Sequence, residues 1–144
     1  MRRPVDIGST YPSWCCQRMY TPHTERVTMR FLVLLPAPEA EWAKLPPEEH
    51  EKGMRAHARF NRELAEGGHR VVVASPLRPS AEALSMRPDG NGGTTVTDGP
   101  FTESVEQIVG FYLIESDDRE GVRACCRQLS STGDLIELRE LEGN

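Results

Sequence analysis

Two residues of this chain are best suited to move a proton: His57, in "GMRAHARFNREL", and Asp98, in "VTDGPFTES". An imidazole titrates near neutral pH, so it takes and returns a proton readily, and a carboxylate against it fixes its tautomer and steadies its cation. Together they would serve acid–base chemistry on a small molecule. Each also has a plainer reading. Asp98 closes a β-branched run at a turn, where its side chain can accept hydrogen bonds from the next backbone amides. Gly99 then permits a positive φ and Pro100 fixes the exit direction. Thr102 or Ser104 would cap a short helix carrying Glu103 and Glu106, and Phe101 is expected to pack as pocket wall. A pure turn would accept asparagine at position 98, so the charge is what leaves room for chemistry. His57 in turn could simply border the core and bond to a neighbour.

No other motif competes. His50 and His57 lie two helical turns apart, about 10 Å, too far to share one ion, so no metal site is expected. "GNGG" follows a proline-rich turn instead of linking a strand to a helix, and there is no G-x-S-x-G elbow. No cofactor is expected. The cysteines fall as adjacent pairs, Cys15-Cys16 and Cys125-Cys126, without C-x-x-C spacing, as in a reduced cytoplasmic protein. Arg55, Arg59 and Arg62 are spaced along one helix face among glutamates and read as a solvated surface. His69 is expected at the surface, at the start of a strand.

The elements that must hold His57 and Asp98 follow from periodicity. "RFLVLL" (30–35) is an apolar run ended by Pro36, suited to a central strand buried on both faces. Pro47 suits a first helical position, Glu48 and Glu49 favour the positive end of the helix dipole, and Gly67-Gly68 stops the helix, predicting it over 47–66. Ala56, Phe60 and Leu64 form its apolar stripe, with Gly53 and His57 beside it. "HRVVVASPL" is a second strand, "ALSMR" and "GTTVT" flank a "PDGNG" hairpin loop, and "GFYLIES" (110–116) is another strand. "DDREGVRACCRQL" predicts a helix capped by Asp117 or Asp118, with Val122, Cys125, Cys126 and Leu129 inward. "DLIELREL" alternates, a strand with one wet face.

That order predicts an α+β, ferredoxin-like sandwich: a mostly antiparallel sheet with two main helices on one face. Tyr112 and Ile114 point opposite to Phe111 and Leu113, so both faces of that strand are apolar. A second copy covering the bare side, in a homodimer, is the expectation.

The totals set outer limits. A chain of 144 residues suits one domain with a real core. A net charge of −5 argues against nucleic acid, and the longest apolar stretches fall well short of the roughly 20 residues a membrane helix needs. Residues 1–28 lack periodicity and the apolar centre of a secretion signal. They are expected to be a disordered extension or a misplaced start, with the domain spanning 29–144 from Met29.

"VTDGPFTESVEQIVGFYLIES" closely resembles the signature of the bacterial YCII-related superfamily, in the branch named for its Asp-Gly-Pro-Phe (DGPF) motif. The likeness runs from about Met29 to Leu141, through the Trp42 region, "PPEE", "FNREL" and the Glu-rich last strand. It implies a ferredoxin-like fold of the dimeric α-β barrel type, a homodimer, and an active-site cleft near the dimer interface. It also implies neighbouring genes for extracytoplasmic-function sigma factors, with no settled biochemical role. A histidine placed like His57 marks the branch associated with a His–Asp pair. Two positions depart: Val105 stands where members usually carry lysine, and Val109-Gly110 where many carry Gly-Gly. Two functions remain open. One is a cofactor-independent enzyme using His57 and Asp98 on a small molecule. The other is a non-catalytic ligand-binding or regulatory module in which Asp98 to Phe101 are architecture.

Overall fold

A computed structural model describes residues 27–142. The expectation of an N-terminal extension therefore concerns residues that lie, but for the last two, outside the described ones. The elements run β1 (Met29–Ala37), α1 (Glu39–Trp42), α2 (Pro47–Glu66), β2 (Arg70–Pro76), a 3-10 turn (Ser80–Glu82), β3 (Leu84–Pro88), β4 (Thr94–Asp98), β5 (Gln107–Ser116), α3 (Arg119–Ser130) and β6 (Glu137–Glu140). Four strands form one sheet in the order β2-β5-β1-β6, every pair antiparallel. With the β3–β4 hairpin set aside, this is β-α-β-β-α-β with the first and third strands central, an α+β arrangement consistent with the ferredoxin-like plan.

Strand alternation divides the sheet into two faces. Phe31 and Val33 of β1 and Tyr112 and Ile114 of β5 are buried against Phe60 and Leu64 of α2 and Val122, Cys126 and Leu129 of α3. Burial pushes the Cys126 thiol up to about 11 and also raises Cys125, so both are poor nucleophiles at neutral pH. The opposite face carries Leu32 beside Leu113 and Leu34 beside Phe111, all half-buried, with Val73 next to Leu113. Arg139 and Glu137 of β6 lie across from Leu32 and Leu34 and are exposed, as the alternation of the last strand predicts.

Local chemistry sets the element ends. Pro36 has no N–H to give the ladder, and the β1–β5 register slips between Leu35 and Pro36. Pro47 opens α2 as expected. At its other end Gly68 takes φ +76, while His69 N–H bonds to Leu64 C=O at 2.9 Å and Gly68 N–H to Ala65 C=O at 3.1 Å, a Schellman closure. Asp118 caps α3, its side chain accepting from Gly121 N–H at 2.9 Å.

Three expectations are corrected here. His69 is buried rather than on the surface: the tight closure of α2 turns it inward, where its Nδ1 meets Ser116 Oγ at 2.8 Å. A Cβ at either Gly67 or Gly121 would fall within 3 Å of its ring, so both glycines make room for it. The short helix carrying Glu103 and Glu106 does not form, and residues 101–106 are an irregular loop. The Gln107 side chain donates to the Thr102 and Ser104 carbonyls at 2.9 and 3.0 Å, and Ser104 Oγ donates to Glu106 C=O, so local side-chain bonds replace helical ones. Phe101 is 66% exposed rather than packed, because it lies in the loop after a hairpin that forms a sheet separate from the main one; the Arg87 guanidinium lies over the ring, 4.1 Å from the centroid.

Candidate functional site

Helix α2 crosses the sheet with Phe60 and Leu64 in the core, which puts His57 at the edge of the buried stripe, where it looks out past the end of the sheet. There a cleft of about 970 Å³ opens between α2 and the C-terminal ends of β1 and β2. Its walls are mainly apolar, with Leu35, Pro36, Trp42, Met54, Leu77 and Phe111 prominent, and four titratable side chains line it: Glu39, and the neighbouring His57, Tyr112 and Asp134. A large apolar hollow with a few converging polar groups is the usual form of a small-molecule site.

His57 Nδ1 lies 2.9 Å from the Tyr112 hydroxyl, and the two rings are parallel within 6° at a centroid separation of 5.9 Å. Phe60 meets Tyr112 edge-on from the core side, 5.1 Å between centroids, and so fixes the phenol from behind. On its other edge, His57 Nε2 is 3.7 Å from Asp134 Oδ2, and the two side chains retain 28% and 33% of their exposure, enough for a ligand to reach both. Asn61, one turn beyond His57, donates from Nδ2 to the His57 carbonyl at 3.0 Å.

Burial pushes the Tyr112 phenol above its ordinary value of 10.0, and the negative charge of Asp134 adds to this against a hydrogen bond from Asn61. The hydroxyl is therefore neutral at physiological pH and can pair with either tautomer of the imidazole. If it accepts from Nδ1–H, Nε2 presents its lone pair to the cleft with Asp134 alongside.

The cleft depends on close packing of α1 on α2. A Cβ at Gly53 would lie 3.1 Å from Trp42 Cη2, so a glycine in mid-helix lets the indole settle on the helix face. His50 meets the same indole edge-on at 4.6 Å and does not line the cleft. Across the mouth, Glu39 of α1 accepts hydrogen bonds from the Ser80 N–H, at 2.9 Å, and from its hydroxyl.

The residues singled out by sequence divide between two places. His57 lies in the cleft, and Phe60 lies in the core directly behind Tyr112. Asp98, Gly99, Pro100, Phe101, Glu103 and Glu106 do not line it. Asp98 ends β4 opposite Leu84 and is exposed, with no side-chain hydrogen bond or ion pair among the described residues. Gly99 takes φ +99, its N–H bonds to Ala83 C=O at 2.7 Å, and its carbonyl accepts from Ser85 Oγ at 2.8 Å. Arg87 also reaches the Phe101 carbonyl at 3.3 Å. Within one chain, the DGPF corner closes the hairpin, and the carboxylate beside His57 is Asp134.

Sequence reasoning missed Asp134 and the hydroxyl of Tyr112. Asp134 sits in "STGDL", which reads as an ordinary helix-to-strand turn: Gly133 takes φ +117 and Ser130 Oγ donates to the Asp134 carbonyl at 2.9 Å. Its one cue is that backbone groups satisfy this turn, leaving the carboxylate unused. Among the described residues no group of three or more His, Cys, Asp or Glu side chains could hold a metal ion, and no helix is long and apolar enough to cross a membrane.

Comparison with known proteins gives a family match and an uncharacterized relative. The YCII-related domain matches residues 29–142. An uncharacterized protein of Rhizobium meliloti (strain 1021), R00369, is 38% identical over 104 residues, which cover 69% of this chain and 79% of the relative.

Proposed function

The chain belongs to the YCII-related domain family, and we propose that it is a small cofactor-independent enzyme that abstracts and returns a proton on a small apolar molecule. The observation that carries this reading is the imidazole of His57 held between a neutral phenol at 2.9 Å and a carboxylate at 3.7 Å, facing a cleft of about 970 Å³. His57 Nε2 takes the proton. Tyr112 orients the ring through Nδ1, and Asp134 offsets the charge of the imidazolium as it forms. A carbon acid next to a carbonyl is the natural substrate, since proton removal there leads to isomerisation or elimination without a cofactor.

Solvent exchange tests this reading without knowledge of the net reaction. A panel of aliphatic and aromatic ketones and aldehydes, incubated with the protein in D₂O, should include one that gains deuterium at the α-carbon. His57→Ala should slow that gain by about 10²–10⁴-fold, and Asp134→Asn should slow it too. Asp98→Asn should leave it unchanged. Exchange equal in the His57→Ala protein would end the proposal.

The DGPF motif and the bare sheet face support two finer readings. The first is membership in the DGPF branch. The second is a homodimer of the dimeric α-β barrel type, with the band of Leu32, Leu34, Val73, Phe111 and Leu113 covered by a second copy. Light scattering should give twice the chain mass, and Leu113→Glu should halve it. The alternative function, a ligand-binding module, is favoured by the exposed, self-contained DGPF corner. It predicts ligands that shift the His57 ring signals without any deuterium exchange.

A further inference from the structure

Helix α2 separates two hollows. Gly53, Met54, His57, Ala58 and Asn61 face the cleft, whereas Lys52, Arg55, Ala56, Arg59 and Arg62 face a second hollow of about 690 Å³. The second hollow lies between α2, the loop at 132–135 and the end of β1 with Pro38 after it. The spacing 52, 55, 59, 62 puts four cationic side chains on one stripe of the helix; Arg55 and Arg62 are exposed, as expected of a solvated face, and with Arg59 they also line this concave surface.

Their carboxylate partners leave cationic capacity over. Lys52 pairs with Glu49 at 2.6 Å, Arg55 with Glu51 at 3.7 Å and Arg59 with Glu63 at 3.4 Å. Arg62 has no ion pair among the described residues. Of these acids, only Glu49 lines the hollow, joined there by Asp134 at its rim. Arg59 Nε is a buried donor without a hydrogen-bond acceptor, since Glu63 stands beside it out of line. A guanidinium with unused donors, next to a second that is unpaired, is the chemistry that holds an oxyanion by two or more N–H groups.

The hollows are contiguous: Pro36, Ala37, Trp42, Gly53, Asp134 and Leu135 line both. We propose that the ligand of this protein is an apolar body carrying an oxyanion, a carboxylate or phosphate ester, whose anionic end sits on Arg59 and Arg62 while the body lies against Trp42 in the His57 cleft. This deepens the proton-transfer reading by naming the substrate class. The binding claim stands or falls separately from the catalytic one.

The test uses the full chain, labelled with ¹⁵N so that the arginine Nε–H and histidine ring signals are resolved. Four probes are titrated: benzoate, phenyl phosphate, inorganic phosphate and benzyl alcohol. Benzoate or phenyl phosphate should shift the arginine and His57 signals together, inorganic phosphate the arginines alone, and benzyl alcohol His57 alone. Comparing benzoate with phenyl phosphate separates a carboxylate from a phosphate ester. Arg59→Gln with Arg62→Gln should weaken the anionic aromatic probe at least about tenfold and leave benzyl alcohol unchanged. Should the double variant fold poorly, Arg62→Gln alone, at an exposed position, should still weaken binding, and raised salt should weaken the wild type likewise. Equal affinity for the neutral and anionic probes, or unchanged affinity in the arginine variants, would overturn the proposal. Anion binding that survives intact in a His57→Ala protein lacking exchange would uphold both readings. Anion binding with exchange unaffected by His57→Ala would sink the catalytic reading alone.

Discussion

Asp98 and Asp134 each stand beside a glycine of positive φ in a turn that ends or precedes a strand, yet their surroundings are opposite. Asp134 follows α3 into a loop packed over α2, where the carboxylate faces His57 and adds to the burial that raises the pKa of Tyr112. Asp98 ends a strand of a two-stranded sheet separate from the main one, and its carboxylate faces solvent. The aspartate in the distinctive motif shapes a corner, while the one in an unremarked turn has the chemical neighbour. What gives a carboxylate a chemical neighbour here is the layer against which its turn is packed.

Two phenylalanines give the largest test of that contrast. Phe60, 1% exposed, supports Tyr112 from the core, whereas Phe101, 66% exposed, lies under Arg87. Phe60→Ala should cost about 3–5 kcal/mol in urea unfolding, and Phe101→Ala no more than about 0.5 kcal/mol. Similar losses would mean that the hairpin is part of the core.

Two glycines sharpen it further. At φ +99, Gly99→Ala should cost about 1–2 kcal/mol of backbone strain and leave the cleft untouched. At Gly53 the helix itself favours alanine by about 1 kcal/mol, but the new methyl would press on Trp42 at 3.1 Å. Gly53→Ala should therefore change stability little and shift Trp42 fluorescence, which Gly99→Ala should not do. Tyr112→Phe belongs to the same series: it removes the hydroxyl bonded to His57 Nδ1 and should cost about 1 kcal/mol.

The same contrast separates what was legible in the sequence from what was not. Helix α2 matches its expected span because proline, paired glutamates, an apolar stripe of period four and Gly-Gly all act within the segment. The Asp118 cap and the Asp89-to-Gly93 hairpin turn are local in the same sense, the turn held by Asp89 accepting from Asn91 and Gly93 N–H at 2.8 and 3.0 Å. The partnership of His57 with Asp134 and Tyr112 joins α2, β5 and the loop after α3, and no spacing within any one of them encodes it. The burial of His69 was hidden for the same reason, since it depends on two glycines from different elements. The four-residue helix α1 has too few residues to show a period.

The smallest effect expected is one of pH, and it again compares body with hairpin. Arg70, bonded to Glu115, and Arg30 at 3.0 Å hold that carboxyl below its ordinary 4.5 despite its partial burial. In the hairpin turn, the amides of Asn91 and Gly93 hold Asp89 below 3.8. Both folded values are depressed, so each group stabilises its fold above its unfolded pKa and loses that contribution as pH falls through the folded value. Glu115 joins β5 to β1 and β2, so Glu115→Gln should lower global stability at pH 7, with the gap from wild type closing as the pH falls below about 4.5. Asp89 holds only the turn between β3 and β4. Asp89→Asn should therefore quicken amide exchange in the hairpin over the same pH range without moving the global unfolding midpoint. A midpoint that follows Asp89 as closely as Glu115 would show that the hairpin unfolds with the body, and the separation drawn between the two aspartates would then lose its physical basis.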